Sequence, residues 1–195
     1  MSRTATIERE TSETNVRVVL EIDGTGAYQI STGIPFFNHM LELFARHGLF
    51  DLVVEANGDL DVDGHHTVED IGICIGQAFR EALADKKGIC RYGSIHLPMD
   101  EVLALVAVDV SGRPYLAYDV ELPVEVVGNY DVSLTPEFLQ ALVNNIGMTL
   151  HVRTLRSGNA HHVIEAVFKG LARAMDKATL LDSRAPGIPS TKGQL

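Results

Sequence analysis

Tryptophan is absent from the 195 residues, and aromatic side chains make up only 6% of them. A core built from this chain must therefore rely on Leu, Ile, Val and Ala. Basic residues are scarce: 16 Lys and Arg face 26 Asp and Glu, giving a formal net charge of −10. That balance argues against a nucleic-acid binder, which carries a basic face, although local basic clusters remain able to hold phosphate. Cysteine occurs only as Cys74 and Cys90, outside any Cys-x-x-Cys pattern. The two read as reduced thiols of a cytoplasmic protein rather than a disulfide framework. No apolar run reaches the length of a membrane span. Met1-Ser2-Arg3-Thr4 leads straight into an alternating segment without an apolar signal region. The length fits one domain or two fused small halves, and 46% apolar residues suffice for a sizeable core.

What the chain does have is a repeated histidine motif. His65-His66-Thr67-Val68-Glu69 and His161-His162-Val163-Ile164-Glu165 share the pattern His-His-x-x-Glu and use four of the eight histidines. Imidazole and carboxylate together are ligands for divalent metals. If each motif opens a helix, its first His and its Glu lie at i and i+4 on one face. The second His points about 100° further round. One motif then offers two ligands to one ion and a third to another, and two motifs placed face to face share a pair of ions. His-Glu-x-x-His, the single-metal protease pattern, is absent. Surface histidines at two polar helix starts are the plainer reading, which the duplication disfavours.

The flanking sequence is duplicated too. Strand-like stretches at Thr4–Glu8 and Asn15–Ile22 precede Asp23-Gly24-Thr25-Gly26, a turn of the Asp-Gly hairpin type, with Ala27–Thr32 as the returning strand. A helical pattern begins at Pro35, and Phe50–Glu55 reads as a further strand. An acidic loop, Asn57 to Gly64, leads into the first motif and a helix to Leu83. In the second half, Glu101–Val110 and Pro114–Glu121 read as strands around Ser111-Gly112-Arg113. A helix follows near Thr135, with Thr135 as N-cap and Pro136 at the first helical position. Thr149–Arg153 and the second motif complete the replay, with a helix to about Ala178. The motifs stand 96 residues apart. The expectation is an α+β fold of internally duplicated halves, 1–90 and 91–195, each a mostly antiparallel sheet with helices on one face. Sheets this apolar need cover on the other side, so a homo-oligomer is expected. The tail from Pro186 to Gly193 is either a frayed end or a segment that orders over a site.

Other positions carry chemistry. His39 lies in the first helix, and its match in the second half is Glu137; either type ligates a metal or moves a proton. His47 follows two turns on. Arg91, Arg113, Lys169 and Lys192 are candidate anion binders, by planar fork or point charge.

The strings Phe36-Phe37-Asn38-His39-Met40-Leu41, Gly58-Asp59-Leu60, Asp63-Gly64-His65-His66-Thr67-Val68-Glu69-Asp70, Ser111-Gly112-Arg113-Pro114, Asn159-Ala160-His161-His162 and Pro189-Ser190-Thr191-Lys192-Gly193 resemble imidazoleglycerol-phosphate dehydratase, from Arg3 to Gly193. The resemblance implies conversion of imidazole glycerol phosphate to imidazole acetol phosphate and water, in histidine biosynthesis. It implies two Mn²⁺ per active site and a 24-subunit shell with active sites between subunits. Metal ligation is implied for His39, His65, His66, Glu69, His161, His162 and Glu165. Some family members carry histidine where Glu137 stands, so Glu137 is the expected eighth ligand. Glu13, His39, His47, Arg91, Arg113, Lys169, Ser190, Thr191 and Lys192 are implied around the substrate. The substrate's C2 proton has no adjacent carbonyl and is weakly acidic. Metals acting as Lewis acids on the imidazole ease loss of water. Glu13 is the expected acid/base, with His47 as the second candidate.

Two other readings stay open on the residues alone. A dinuclear hydrolase would need bridging aspartates, for which Asp63 and Asp70 are the nearby candidates. A shell joined by structural metal would need no reaction at all.

Overall fold

A computed structural model describes residues 3–184, 187–193 and 195. Pro186, where the expected tail begins, lies outside them. The first half contains β1 (Thr4–Glu10), β2 (Thr14–Glu21), β3 (Tyr28–Ser31), α1 (Pro35–Gly48), β4 (Asp51–Gly58) and α2 (His65–Leu83). The second contains β5 (Tyr92–Met99), β6 (Val102–Asp109), β7 (Tyr115–Asp119), the short pair β8 (Val126–Val127) and β9 (Tyr130–Asp131), α3 (Leu134–Ile146), β10 (Thr149–Arg156) and α4 (Ala160–Thr179).

Period-two burial makes the strands. Val16, Val18 and Leu20 of β2 are buried, as are Val102, Ala104, Val106 and Val108 of β6, while their neighbours are partly or fully exposed. The two main sheets have the same plan, in the orders β1-β2-β4-β3 and β5-β6-β10-β7. In each, three strands are antiparallel and the fourth joins the edge in parallel. This is the expected duplicated α+β fold, with helices laid on one face of each mostly antiparallel sheet.

Two local expectations fail. The Asp-Gly turn does not form a hairpin, because β4 takes the edge of β2 and β3 pairs with β4 instead. The Asp51 carboxylate captures the turn, accepting the backbone N–H groups of Thr25 at 2.7 Å and Ala27 at 2.9 Å. Its pKa is accordingly held below the usual range by those backbone hydrogen bonds. The second half behaves alike, since β7 pairs with β10 rather than with β6. Nor does Thr135 cap α3. The helix starts one residue earlier, and the buried Thr135 hydroxyl meets the Tyr130 hydroxyl at 3.1 Å.

The helical layers of the two halves face each other, sandwiched between the sheets. The packing is crossed: α1 lies against α4, and α2 against α3. Gly72 and Gly76 make the second crossing close. A Cβ at Gly72 would stand 2.8 Å from the Phe138 carbonyl, and one at Gly76 2.9 Å from that of Leu142. Phe37, Phe138 and Phe168 form a continuous aromatic contact where α1, α3 and α4 meet. Each motif therefore starts a helix whose neighbour comes from the other half.

Candidate active site

Both motifs open helices, as their spacing requires. Two residues before each pair, a polar side chain meets the exposed helix start: the Asp63 carboxylate accepts the His65 N–H at 2.7 Å, and Asn159 Oδ1 accepts that of His161 at 2.9 Å. The crossing of α1 on α4 brings His39, His161 and Glu165 together, each with one ligand atom within 4.8 Å of the others'. Glu165 is buried, and its own helix supplies a cation one turn on, where Lys169 donates to its Oε1. Burial opposes ionisation of Glu165, but the Lys169 hydrogen bond and charge outweigh it and lower its pKa.

On the other crossing, Glu69 and Glu137 are exposed and His65 half-buried. Among the described residues, these three do not close into a comparable cluster. His66 and His162 sit apart from both groups. His66 Nδ1 lies 2.9 Å from Asp59 Oδ2 and 3.8 Å from Glu13 Oε2. His162 Nδ1 lies 3.0 Å from Glu101 Oε2. The sequence assigns neither Asp59 nor Glu101 a role. Asp59 stands in the string Gly58-Asp59-Leu60 that carries part of the family resemblance, and Glu101 is the first residue of an apparent strand; only the folded loops bring them to the histidines.

Glu13 lies in the exposed β1–β2 turn, whose start is fixed by the Thr11 hydroxyl accepting the N–H groups of Glu13 and Thr14. His47 ends α1. Its pKa is lowered, chiefly by burial and then by the charges of Lys169 and Arg173.

The predicted anion binders divide. Arg91, Arg113, Ser190, Thr191 and Lys192 line one cleft of about 710 Å³, together with Tyr92 and Leu195. The tail residues Ile188 to Lys192 thus line this cleft. Arg91 organises it, gripping Asp109 with two hydrogen bonds of 2.7 and 3.1 Å and donating to the Pro189 carbonyl at 2.8 Å. Lys169 stands elsewhere, between Glu165 and Met99. The cleft and the His39–His161–Glu165 cluster share no lining residue.

The aspartates that a dinuclear hydrolase would require are otherwise engaged. Asp70 is buried, accepting from Arg9 Nε at 2.9 Å and from the Thr14 hydroxyl, and Asp63 accepts the His65 N–H. Cys74 is no nucleophile either, since burial pushes its thiol up to about 11.

An imidazole–carboxylate cluster and a basic cleft, carried on one duplicated scaffold, are features of an enzyme acting on a small anionic molecule. No helix among the described residues is long and apolar enough to cross a membrane. Residues 32–175 match the model of the family described as imidazoleglycerol-phosphate dehydratase. The chain is 61% identical to the imidazoleglycerol-phosphate dehydratase of Geobacter sulfurreducens and 62% identical to that of Moorella thermoacetica, each over the full length of both chains. Its fold is similar to the crystal structure of the Staphylococcus aureus enzyme, with a TM-score of 0.84 and 42% identity, covering 92% of this chain and 99% of that one. It is equally similar to the Pyrococcus furiosus protein in complex with (S)-C348, with a TM-score of 0.84, 37% identity and coverage of 97% and 100%. The chain belongs to the imidazoleglycerol-phosphate dehydratase family.

Proposed function

We propose that this protein is a metal-dependent hydro-lyase that converts imidazole glycerol phosphate to imidazole acetol phosphate and water, a step of histidine biosynthesis in the cytoplasm. The full-length agreement with dehydratases of that name carries the reading. Its site chemistry has independent support in the meeting of His39, His161 and Glu165, contributed by different halves of the chain.

That donor set, two imidazoles and a carboxylate, suits Mn²⁺. His39, His161 and Glu165 would hold one ion, and His65, Glu69 and Glu137 the second, with His66 and His162 completing the pair. Bound Mn²⁺ would supply Lewis-acid stabilisation of the deprotonated imidazole. The remaining work falls to the chain. Glu13, on an exposed turn beside His66, takes the C2 proton. His47 is the second candidate, because its lowered pKa keeps it neutral and able to accept a proton at neutral pH. Arg113, Ser190, Thr191 and Lys192 hold the phosphate in the cleft that Arg91 braces. Lys169 keeps Glu165 ionised and reaches the substrate from the metal side. Because cleft and cluster are separate in one subunit, the working site lies between subunits of a homo-oligomer, of which a 24-subunit shell is the expected form.

Turnover of imidazole glycerol phosphate by metal-stripped protein, before and after addition of Mn²⁺, tests the reading. Product only after addition is expected. Equal turnover without metal would remove the metal role, and none in assembled, metal-loaded protein would remove the dehydratase reading.

A further inference from the structure

The second histidine of each motif has one nitrogen already engaged by a carboxylate. Asp59 Oδ2 stands 2.9 Å from His66 Nδ1, and Glu101 Oε2 stands 3.0 Å from His162 Nδ1. An ionised carboxylate only accepts. In the neutral form of both rings Nδ1 is therefore the protonated nitrogen, and Nε2 carries the lone pair. Two different elements reach this arrangement. Asp59 comes from the loop between β4 and α2, whereas Glu101 comes from the turn between β5 and β6. By the duplication Glu101 matches Glu13, whose Oε2 stands 3.8 Å from His66 Nδ1, but in the first half it is Asp59 that makes the close contact.

Neither carboxylate is explained as a scaffold bond alone. Asp59 Oδ1 is buried without a hydrogen-bond partner among the described residues, which leaves the histidine as the side-chain partner its carboxylate serves. Glu101 accepts the Asn159 N–H at 2.7 Å with Oε1 and meets His162 with Oε2 at 3.0 Å. Asp100, Glu101 and His162 also lie close enough to suggest a cation site of their own. With both its oxygens committed to N–H donors, Glu101 is better placed to orient the histidine than to ligate.

We infer that Asp59 and Glu101 are positioning residues that fix the tautomer and ring orientation of His66 and His162, so that each binds its metal through Nε2. A carboxylate behind a ligating imidazole raises its basicity and fixes its direction. The inference rests on the two-metal reading above, in which His66 and His162 serve different ions. Asp59 then supports one ion and Glu101 the other.

The test is a Mn²⁺ titration of the assembled, metal-stripped full chain, reading free Mn²⁺ by electron paramagnetic resonance. Loss of one partner is expected to weaken metal binding by about 10–100-fold. Asp59→Ala should weaken one class of ion and leave the other, and Glu101→Ala should do the reverse. Asp59→Asn and Glu101→Gln should lose less, because an amide oxygen still accepts from Nδ1–H. Melting of the metal-free alanine variants should match the parent; if either fails to fold, its amide variant carries the test. Unchanged affinity in both variants would overturn the inference. So would equal weakening of both ions by one substitution, or complete loss in Glu101→Ala, which would make Glu101 a ligand. Failure of the parent protein to bind Mn²⁺ would instead overturn the metal reading itself, and this inference with it.

Discussion

The two copies of the motif begin alike and diverge within a turn. After Glu69 come Asp70 and, one turn on from the glutamate, Ile73; after Glu165 come Ala166 and Lys169. The consequences are opposite. In the first half, Asp70 ties α2 to Arg9 and Thr14, the strands flanking the turn that carries Glu13. In the second, Ala166 packs with Leu97, Val102 and Ala104, so the equivalent hairpin rests on an apolar contact. The motif carboxylates differ just as clearly: Glu165 is buried and paired with Lys169, while Glu69 is exposed. One helix braces the turn that carries Glu13, and the other contributes to the His39–His161–Glu165 cluster. Two frames of one plan thus differ through single residues.

Swapping those substitutions breaks the comparison most severely. Ala166→Asp would place an unpaired carboxylate in an apolar layer, which costs about 3–5 kcal/mol. Denaturant unfolding of the variant checks it, and a loss below 1 kcal/mol would show that the second hairpin tolerates the first half's chemistry. Removing His161 dismantles the closed cluster. His161→Ala should weaken Mn²⁺ binding at one ion by more than the roughly 100-fold upper range for an outer partner, as read by metal titration, whereas His65→Ala should affect the other ion. Asp70→Ala should cost about 1–3 kcal/mol, because the Thr14 hydroxyl loses its buried acceptor while half-exposed Arg9 falls back on water. It should also lower kcat more than it raises KM, through the loosened Glu13 turn. The smallest effect concerns pH. Arg173 donates to the His47 carbonyl at 3.3 Å and contributes to lowering the His47 pKa. Arg173→Ala removes a nearby positive charge, so the His47 pKa rises. If His47 must be neutral to act, the acidic limb of kcat/KM then moves to higher pH. A downward shift, or none, would take His47 out of the proton-transfer role.

Much of this was legible in the residues. Hydrophobic periodicity located α1, a proline start α3 and the two motifs α2 and α4, and the i and i+4 rule put His161 and Glu165 on one face. Pairing was less legible, because the order of strands in a sheet is a long-range property. The Asp-Gly turn after Ile22 looked like a local hairpin until Asp51, from a strand further along the chain, took its N–H groups. Thr135 misled for a similar reason: its hydroxyl prefers the buried Tyr130 to the helix start. Glu101 carries no sequence signature, and the string around Asp59 marks the family without a role for the residue, since a carboxylate behind an imidazole is recognised only by its distance.

The crossed packing of α1 on α4 and of α2 on α3 bears on the protein's history. Each motif helix covers its own half's sheet and also takes the first helix of the other half against it. A half-length chain would meet the same need only by pairing with a copy of itself. The two halves thus stand to each other as the subunits of a homodimer would, held together in one polypeptide.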